Sequence, residues 1–303
     1  MSDLLDLAYA AALVVALGGT GLALGMRHDP ASFVAVLSHR RYLGCIALVD
    51  VVAVPLIVWI LVQVFAVPDD YAIGLLLVGM ASAGPLGIKA AQLANADVQA
   101  AVVLVVALEF ANLAAIPLWV ALLLPDGTEV SRVDVLATVL VAVVLPLVGG
   151  FAYRRWAPNR AVPVARALTT ASNVAVIAIV ALVLIRDADT VAEAARARVP
   201  FVAVLTVVTA FGLAWAAGGA SLARRSSAAL VTAVRASGPA LAIAAAAFPG
   251  RPEVRAGIVV FALFSITLPL LAAVSLRRRW PPGSADLHAR LEPTVAATAR
   301  SDE

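Results

Sequence analysis

Residues Tyr71–Ala94 read YAIGLLLVGMASAGPLGIKAAQLA, and this stretch decides the fold. Its first half is apolar throughout. Helix breakers then interrupt it at Gly84, Pro85 and Gly87. Lys89 follows, the one lysine among 22 lysines and arginines. A charge inside a membrane span costs roughly 3 kcal/mol or more, and by default it marks function. Three more ionisable residues break apolar runs elsewhere: Asp50, Glu109 and Arg235. Two bases and two acids in a hydrophobic chain predict a buried polar site in which the charges pair.

Composition places the whole chain in the same setting. Of 303 residues, 63% are hydrophobic and 14% charged, and the mean hydropathy is +1.00. Soluble domains run near ~45–50% apolar and ~25% charged. The excess falls in runs of about 20 residues, the length that crosses about 30 Å of hydrocarbon. The formal charge of +3 sits mainly in arginine loops. It therefore reads as membrane orientation and not as a nucleic-acid surface. A single cysteine, Cys45, excludes an intramolecular disulfide and a cysteine metal cluster. No cofactor is expected. The N-terminal run is too long for a signal-peptide core and is flanked by Asp3 and Asp6, so it is read as a true span.

Hydropathy predicts an all-α polytopic membrane protein of nine transmembrane helices. They are Leu4–Met26, Tyr42–Val67, Tyr71–Ala94, Val98–Leu124, Val133–Tyr153, Val164–Ile185, Val199–Ala217, Ala228–Phe248 and Val254–Leu276. The runs are too long and too evenly apolar for barrel strands. Arginines concentrate in loops one, five and seven and after the last span: Arg27, Arg40, Arg41, Arg154, Arg155, Arg160, Arg224, Arg225 and Arg277–Arg279. The positive-inside rule then puts the N-terminus outside and the C-terminus in the cytoplasm. Residues 1–279 form one membrane domain. The polar tail 280–303 is expected to be short, cytoplasmic and disordered.

The chain also looks duplicated, with repeat one at about 4–124 and repeat two at about 133–277. Asp97-Val98-Gln99-Ala100-Ala101-Val102-Val103 resembles Glu253-Val254-Arg255-Ala256-Gly257-Ile258-Val259, an offset of 156 residues. Each copy follows a broken span. The second break is Ser237-Gly238-Pro239, 153 residues after Gly84. An odd number of spans separates the matching elements, so the copies are inverted. Paired broken helices in inverted repeats point to a secondary transporter's binding site. The plainer reading is that Gly and Pro merely kink these helices.

Several of these residues resemble the bile acid:sodium symporter family. They are Ala72-Ile73-Gly74-Leu75-Leu76-Leu77-Val78, Leu93-Ala94-Asn95-Ala96-Asp97, Ser237-Gly238-Pro239-Ala240-Leu241-Ala242 and Gly21-Leu22-Ala23-Leu24-Gly25-Met26. The resemblance covers about Leu4–Leu276. It implies two crossing broken helices, core and panel domains, and carriage of organic anions by alternating access, here in the nine-helix form. Against the family's sodium ligands, this chain has Gly87-Ile88 for a Ser-Asn pair and Val105-Val106 for a Thr-Ser pair. It has Val231 for a glutamate, Arg235-Ala236 for Gln-Asn, and Asp50 for a glutamine. Most sodium oxygens are gone, and a guanidinium offers only donors. Sodium is therefore not expected as a coupling ion. An Arg235–Asp50 pair stands in for the cation. A proton carried by Lys89, Glu109 or Asp50 is the alternative coupling ion, and exchange and uniport are the uncoupled options.

The candidate substrate- or ion-binding residues are thus Lys89, Arg235, Asp50, Glu109, Ser237, Gln92 and Asn112, beside the breaks at Gly84, Pro85, Gly87, Gly238 and Pro239. Charged members can instead snorkel to an interface. Asn112, Asn173 and Gln92 serve equally well as helix–helix hydrogen bonders. The expected function is sodium-independent carriage of a small organic anion in a bacterial inner membrane, with lipid as the surrounding partner. Two alternatives compete: a non-transporting sensor or partner subunit on the same fold, and a hydrolase using a Ser237–Lys89 dyad.

Overall fold

The computed structural model describes residues 2–27, 40–82, 84, 86–123, 141, 145–248 and 250–279. Pro85, Arg132, loop one with His28 and His39, the first part of the expected fifth span, and the tail with His288 lie outside them. Among the described residues the chain is all-helical. The helices are α1 (Ser2–Arg27), α2 (Arg40–Ala47), a π-helical turn (Leu48–Ala53), α3 (Val54–Val64), α4 (Asp69–Met80) and α5 (Leu86–Leu93). There follow α6 (Val98–Leu123), α7 (Leu145–Trp156), α8 (Pro158–Arg186), α9 (Ala188–Arg196), α10 (Val199–Ala217), α11 (Leu222–Ala233), α12 (Ser237–Ala247) and α13 (Pro252–Arg279).

Six of these segments are long and apolar enough to cross a membrane, or seven if α6 counts as one span despite its 45° bend. The chain is an integral membrane protein. The sequence reading of nine spans is larger for a physical reason. α4 and α5 have 12 and 8 residues, so neither is long enough alone. Most of the segment before α7 is outside the described residues.

Local chemistry sets the helix ends. Asp69 and Asp70 occupy the first turn of α4, where acidic groups favour the positive end of the helix dipole. The Asp97 carboxylate accepts from the Ala100 N–H at 2.9 Å and caps α6. Pro158, Pro200 and Pro252 sit in the first turns of α8, α10 and α13, where a missing N–H costs nothing.

α4 is enclosed on every side: each residue from Tyr71 to Met80 is buried. A helix buried all round needs no polar face, which explains its uniform apolarity. α4 packs against α13, α3, α12 and α6, while α11 packs against α10, α5 and α6. α1 instead packs mainly on α7 and α8. This trio is held by close backbone contact. A Cβ at Gly150 would run into Leu22 O and stand 2.9 Å from Gly25 Cα. One at Gly19 would run into the Ser172 hydroxyl. Small residues at such crossings let membrane helices approach closely. The trio meets the remaining helices where α1 touches α12 and α8 touches α13. Val174 and Ile177 of α8 point outward, 60% and 68% exposed, as a lipid-facing surface requires.

This packing sets a test. Gly150→Val should separate α7 from α1 and cost about 1–3 kcal/mol. Gly18→Ala, where an added Cβ meets nothing within 4 Å, should stay within about 0.5 kcal/mol of the parent. Thermal denaturation of the purified variants in detergent reads both, and equal melting temperatures for Gly150→Val and the parent would refute the contact.

Candidate functional site

The two broken helices meet. α4 ends at Ala81 with φ −81° and ψ 111°, and α11 ends at Val234 with φ −81° and ψ 116°. Each chain thus leaves its helix in the same extended conformation. The Ala236 N–H donates to Ser82 O at 3.2 Å, joining break to break. Ser82 N–H donates to Asn112 Oδ1 at 3.2 Å, so α6 braces the first break. Added Cβ atoms at Gly84 and Gly87 would meet Ala236 Cβ at 3.6 Å and Val231 Cα at 3.0 Å. α5 therefore crosses α11 with little room to spare.

Arg235 lies between Val234 and Ala236 and is 3% exposed; Asp50 is 0% exposed. Arg235 Nη1 donates to Asp50 Oδ1 at 2.5 Å and to Thr232 O at 3.4 Å. Its Nη2 donates to Asp50 O at 3.4 Å and to Gly79 O. Gly79 and Thr232 are in the last turns of α4 and α11, so one guanidinium caps both helices. Helix ends leave four carbonyls without intrahelical partners, and a cation there also suits the dipole.

The second span is shaped for this contact by Pro55. Proline has no N–H, so the carbonyl four residues before it, Val51 O, loses its helical partner. Val54 N–H reaches back to Val49 O, giving the π-turn. Val51 O is taken by Trp119 Nε1 at 2.6 Å, and Asp50 O by Arg235. The π-turn carries Asp50 into the interior.

The pair is not fully satisfied. The Ser82 side chain faces the Asp50 carboxylate. Even so, Asp50 Oδ2, Ser82 Oγ, Thr232 Oγ1 and Arg235 Nε are buried without a hydrogen-bonding partner among the described residues. Such atoms each forgo about 1–3 kcal/mol.

The other sequence candidates scatter. Lys89 and Gln92 lie on the exposed face of α5, where Lys89 is free to snorkel. Ser237 is buried at 6%, and no hydrogen bond joins it to Lys89, so a dyad is not assembled. Asn112 is spent on the Ser82 backbone. Gly238 has only Val176 near its Cβ position, at 3.7 Å.

Glu109 faces a separate cavity of about 320 Å³ between α1, α5, α6 and α8. Arg27, Thr20, Thr169 and Asn173 line it, with Ile88, Val102 and Val105 as apolar wall. In the sequence Arg27 reads only as an orientation charge, and Thr20, Thr169, Ser82 and Thr232 carry no signal of their own. Threonines are ordinary in membrane helices, and their meeting at one cavity is a tertiary fact. A second cavity of about 300 Å³ lies toward Arg186, Asp187 and Arg255. There Arg255 Nη2 pairs with Asp187 Oδ2 at 3.2 Å, tying α13 to the end of α8.

Breaking one partner of a buried pair costs about 3–5 kcal/mol, because it strands the other charge. Asp50→Ala should therefore destabilise the protein more than Asp50→Ala with Arg235→Ala. A double-mutant cycle from thermal unfolding measures the coupling, and simple additivity would contradict it.

The profile of the sodium bile acid symporter family matches residues 14–194, more than half the chain. No curated protein matches. The matched stretch includes the second half of α1, the π-turn with Asp50, the first break and the cavity-lining faces of α5, α6 and α8. The chain belongs to the sodium bile acid symporter family.

Proposed function

We propose that this protein is a secondary transporter that carries a small organic anion by alternating access without sodium. Membership of a transporter family supports the first part. The observation that carries the second is the shell around Arg235. Asp50 Oδ1, Asp50 O, Gly79 O and Thr232 O form an oxygen set of the kind a hard cation takes. Here they surround a guanidinium that cannot leave or be deprotonated. A sodium ion would have to displace it and meet its charge. Carriage then runs by proton coupling, exchange or uniport.

The cavity beside Glu109 is the substrate site in this reading. It lies between the α1–α7–α8 trio and the helices around the crossing, so rocking one group against the other would expose it to each side in turn. Those groups correspond to the panel and core that the family resemblance implies. Arg27, which lines the cavity, holds the substrate's negative group, since Arg235 is buried and both its Nη atoms are taken by Asp50 and the helix carbonyls. The matching conformations of Ala81 and Val234 support inverted repeats. Counting α4–α5 and α11–α12 as one broken span each, with α2–α3 continuous and the 9-residue α9 left out as too short to cross, gives nine crossings.

Two measurements test this reading. Proteoliposomes given imposed gradients should take up organic acids equally with and without sodium; uptake that requires sodium and saturates with it would sink sodium independence. Reporter fusions should place the C-terminus in the cytoplasm and the loop around Asp187 outside, as the arginine distribution requires. A periplasmic C-terminus would reverse the orientation.

A further inference from the structure

We propose that the Glu109 cavity selects a small aminocarboxylate, a substrate that carries a protonated amine as well as its carboxylate. The inference rests on the reading of the chain as a carrier of small organic acids. It comes from counting donors and acceptors on the cavity wall. Thr20 Oγ1 donates to Ala16 O at 2.6 Å, and Thr169 Oγ1 donates to Ala165 O at 2.8 Å. A hydroxyl has one proton. With that proton spent on the carbonyl one turn back, each threonine offers the cavity lone pairs alone. The Glu109 carboxylate adds two acceptor oxygens and makes no hydrogen bond to another described residue.

Three of the five polar groups on the wall therefore accept. With Glu109 ionised, the state that an ammonium group beside it favours, only Arg27 and the Asn173 amide can donate. A simple carboxylate matches this wall poorly. It would satisfy Arg27, but it would leave the acceptors dehydrated without partners and bring its charge toward Glu109. An ammonium group carries three N–H donors and one positive charge, the complement of Glu109 and two threonine oxygens. The Arg27 guanidinium suits the carboxylate. The volume, about 320 Å³, is at the small end of ligand pockets. It leaves room for a short apolar side chain against Ile88, Val102 and Val105.

Binding to the purified full-length protein provides the test. The probes are alanine, leucine, phenylalanine and 4-aminobutanoate, each beside its deaminated acid and its decarboxylated amine. At least one amino acid should bind about tenfold or more tightly than its deaminated acid. Glu109→Gln should abolish that ratio without weakening the deaminated acid, and Thr169→Val should lower it while the carboxylate is retained. Deaminated acids that bind as well as the amino acids would overturn the proposal. So would a ratio unchanged by both variants, or no binding by any amino acid of the set. Counterflow in proteoliposomes separates this from the carrier reading. Amino-acid binding without counterflow sinks the carrier and leaves the selectivity standing, whereas counterflow confined to deaminated acids does the reverse.

Discussion

The guanidinium of Arg235 is the constraint on which the crossing depends. α4 and α11 both end there, bringing two carbonyl termini of about −0.5 charge each beside the Asp50 carboxylate. α5 and α12 begin at the same place and contribute about +0.5 each. The helix ends alone cancel, and the carboxylate is left over. Arg235 supplies the missing positive charge and the directional donors that the carbonyls require. A neutral side chain at this position would leave Gly79 O, Thr232 O and Asp50 facing one another. The fold thus carries its own counterion, tethered to the backbone of one break and bonded to the other.

Around that point the helices divide the work by surface chemistry. α4 is enclosed, so its only polar business is at its ends. α8 is largely lipid-facing and uses Ser172, whose hydroxyl donates to Val15 O at 3.1 Å, to hold α1. Glycines at 19, 25 and 150 let α1, α7 and α8 touch through backbone. Helices joined in this way form a stiff trio. The cavity opens between α1 and α8 of this trio and the side chains of α5 and α6.

Much of this architecture is visible in the sequence, because charge and helix breakers stand out against an apolar background. Asp50, Arg235 and the breaks are legible for that reason, and so is the family. The meeting of Asp50 with Arg235 across 185 residues is readable only through the family resemblance, which sets both at one ion site. Lys89 shows the limit of the method. A charge one turn from a helix end can turn outward, and hydropathy averages over that difference. Glu109 also stands out as a charge, but the sequence groups it with the buried pair. The structure gives it to a cavity whose hydroxyl members, Thr20 and Thr169, look like routine helix residues. Their role is set by which partner takes each hydroxyl proton, and no periodicity encodes that.

The hydrogen bonding of the breaks bears on how the protein is made. Asp50 and the open carbonyl end of α4 are synthesised 185 and 156 residues ahead of Arg235. At translation rates of about 5–20 residues per second, that delay is on the order of 10–40 s. For that interval α2 to α5 hold a carboxylate and free backbone oxygens without the guanidinium that pairs with them. They must wait beside water or in the shelter of the insertion machinery, because hydrocarbon would not tolerate them. The first half of this protein is therefore not a finished intermediate, and its assembly is completed only when α11 and the break after it arrive.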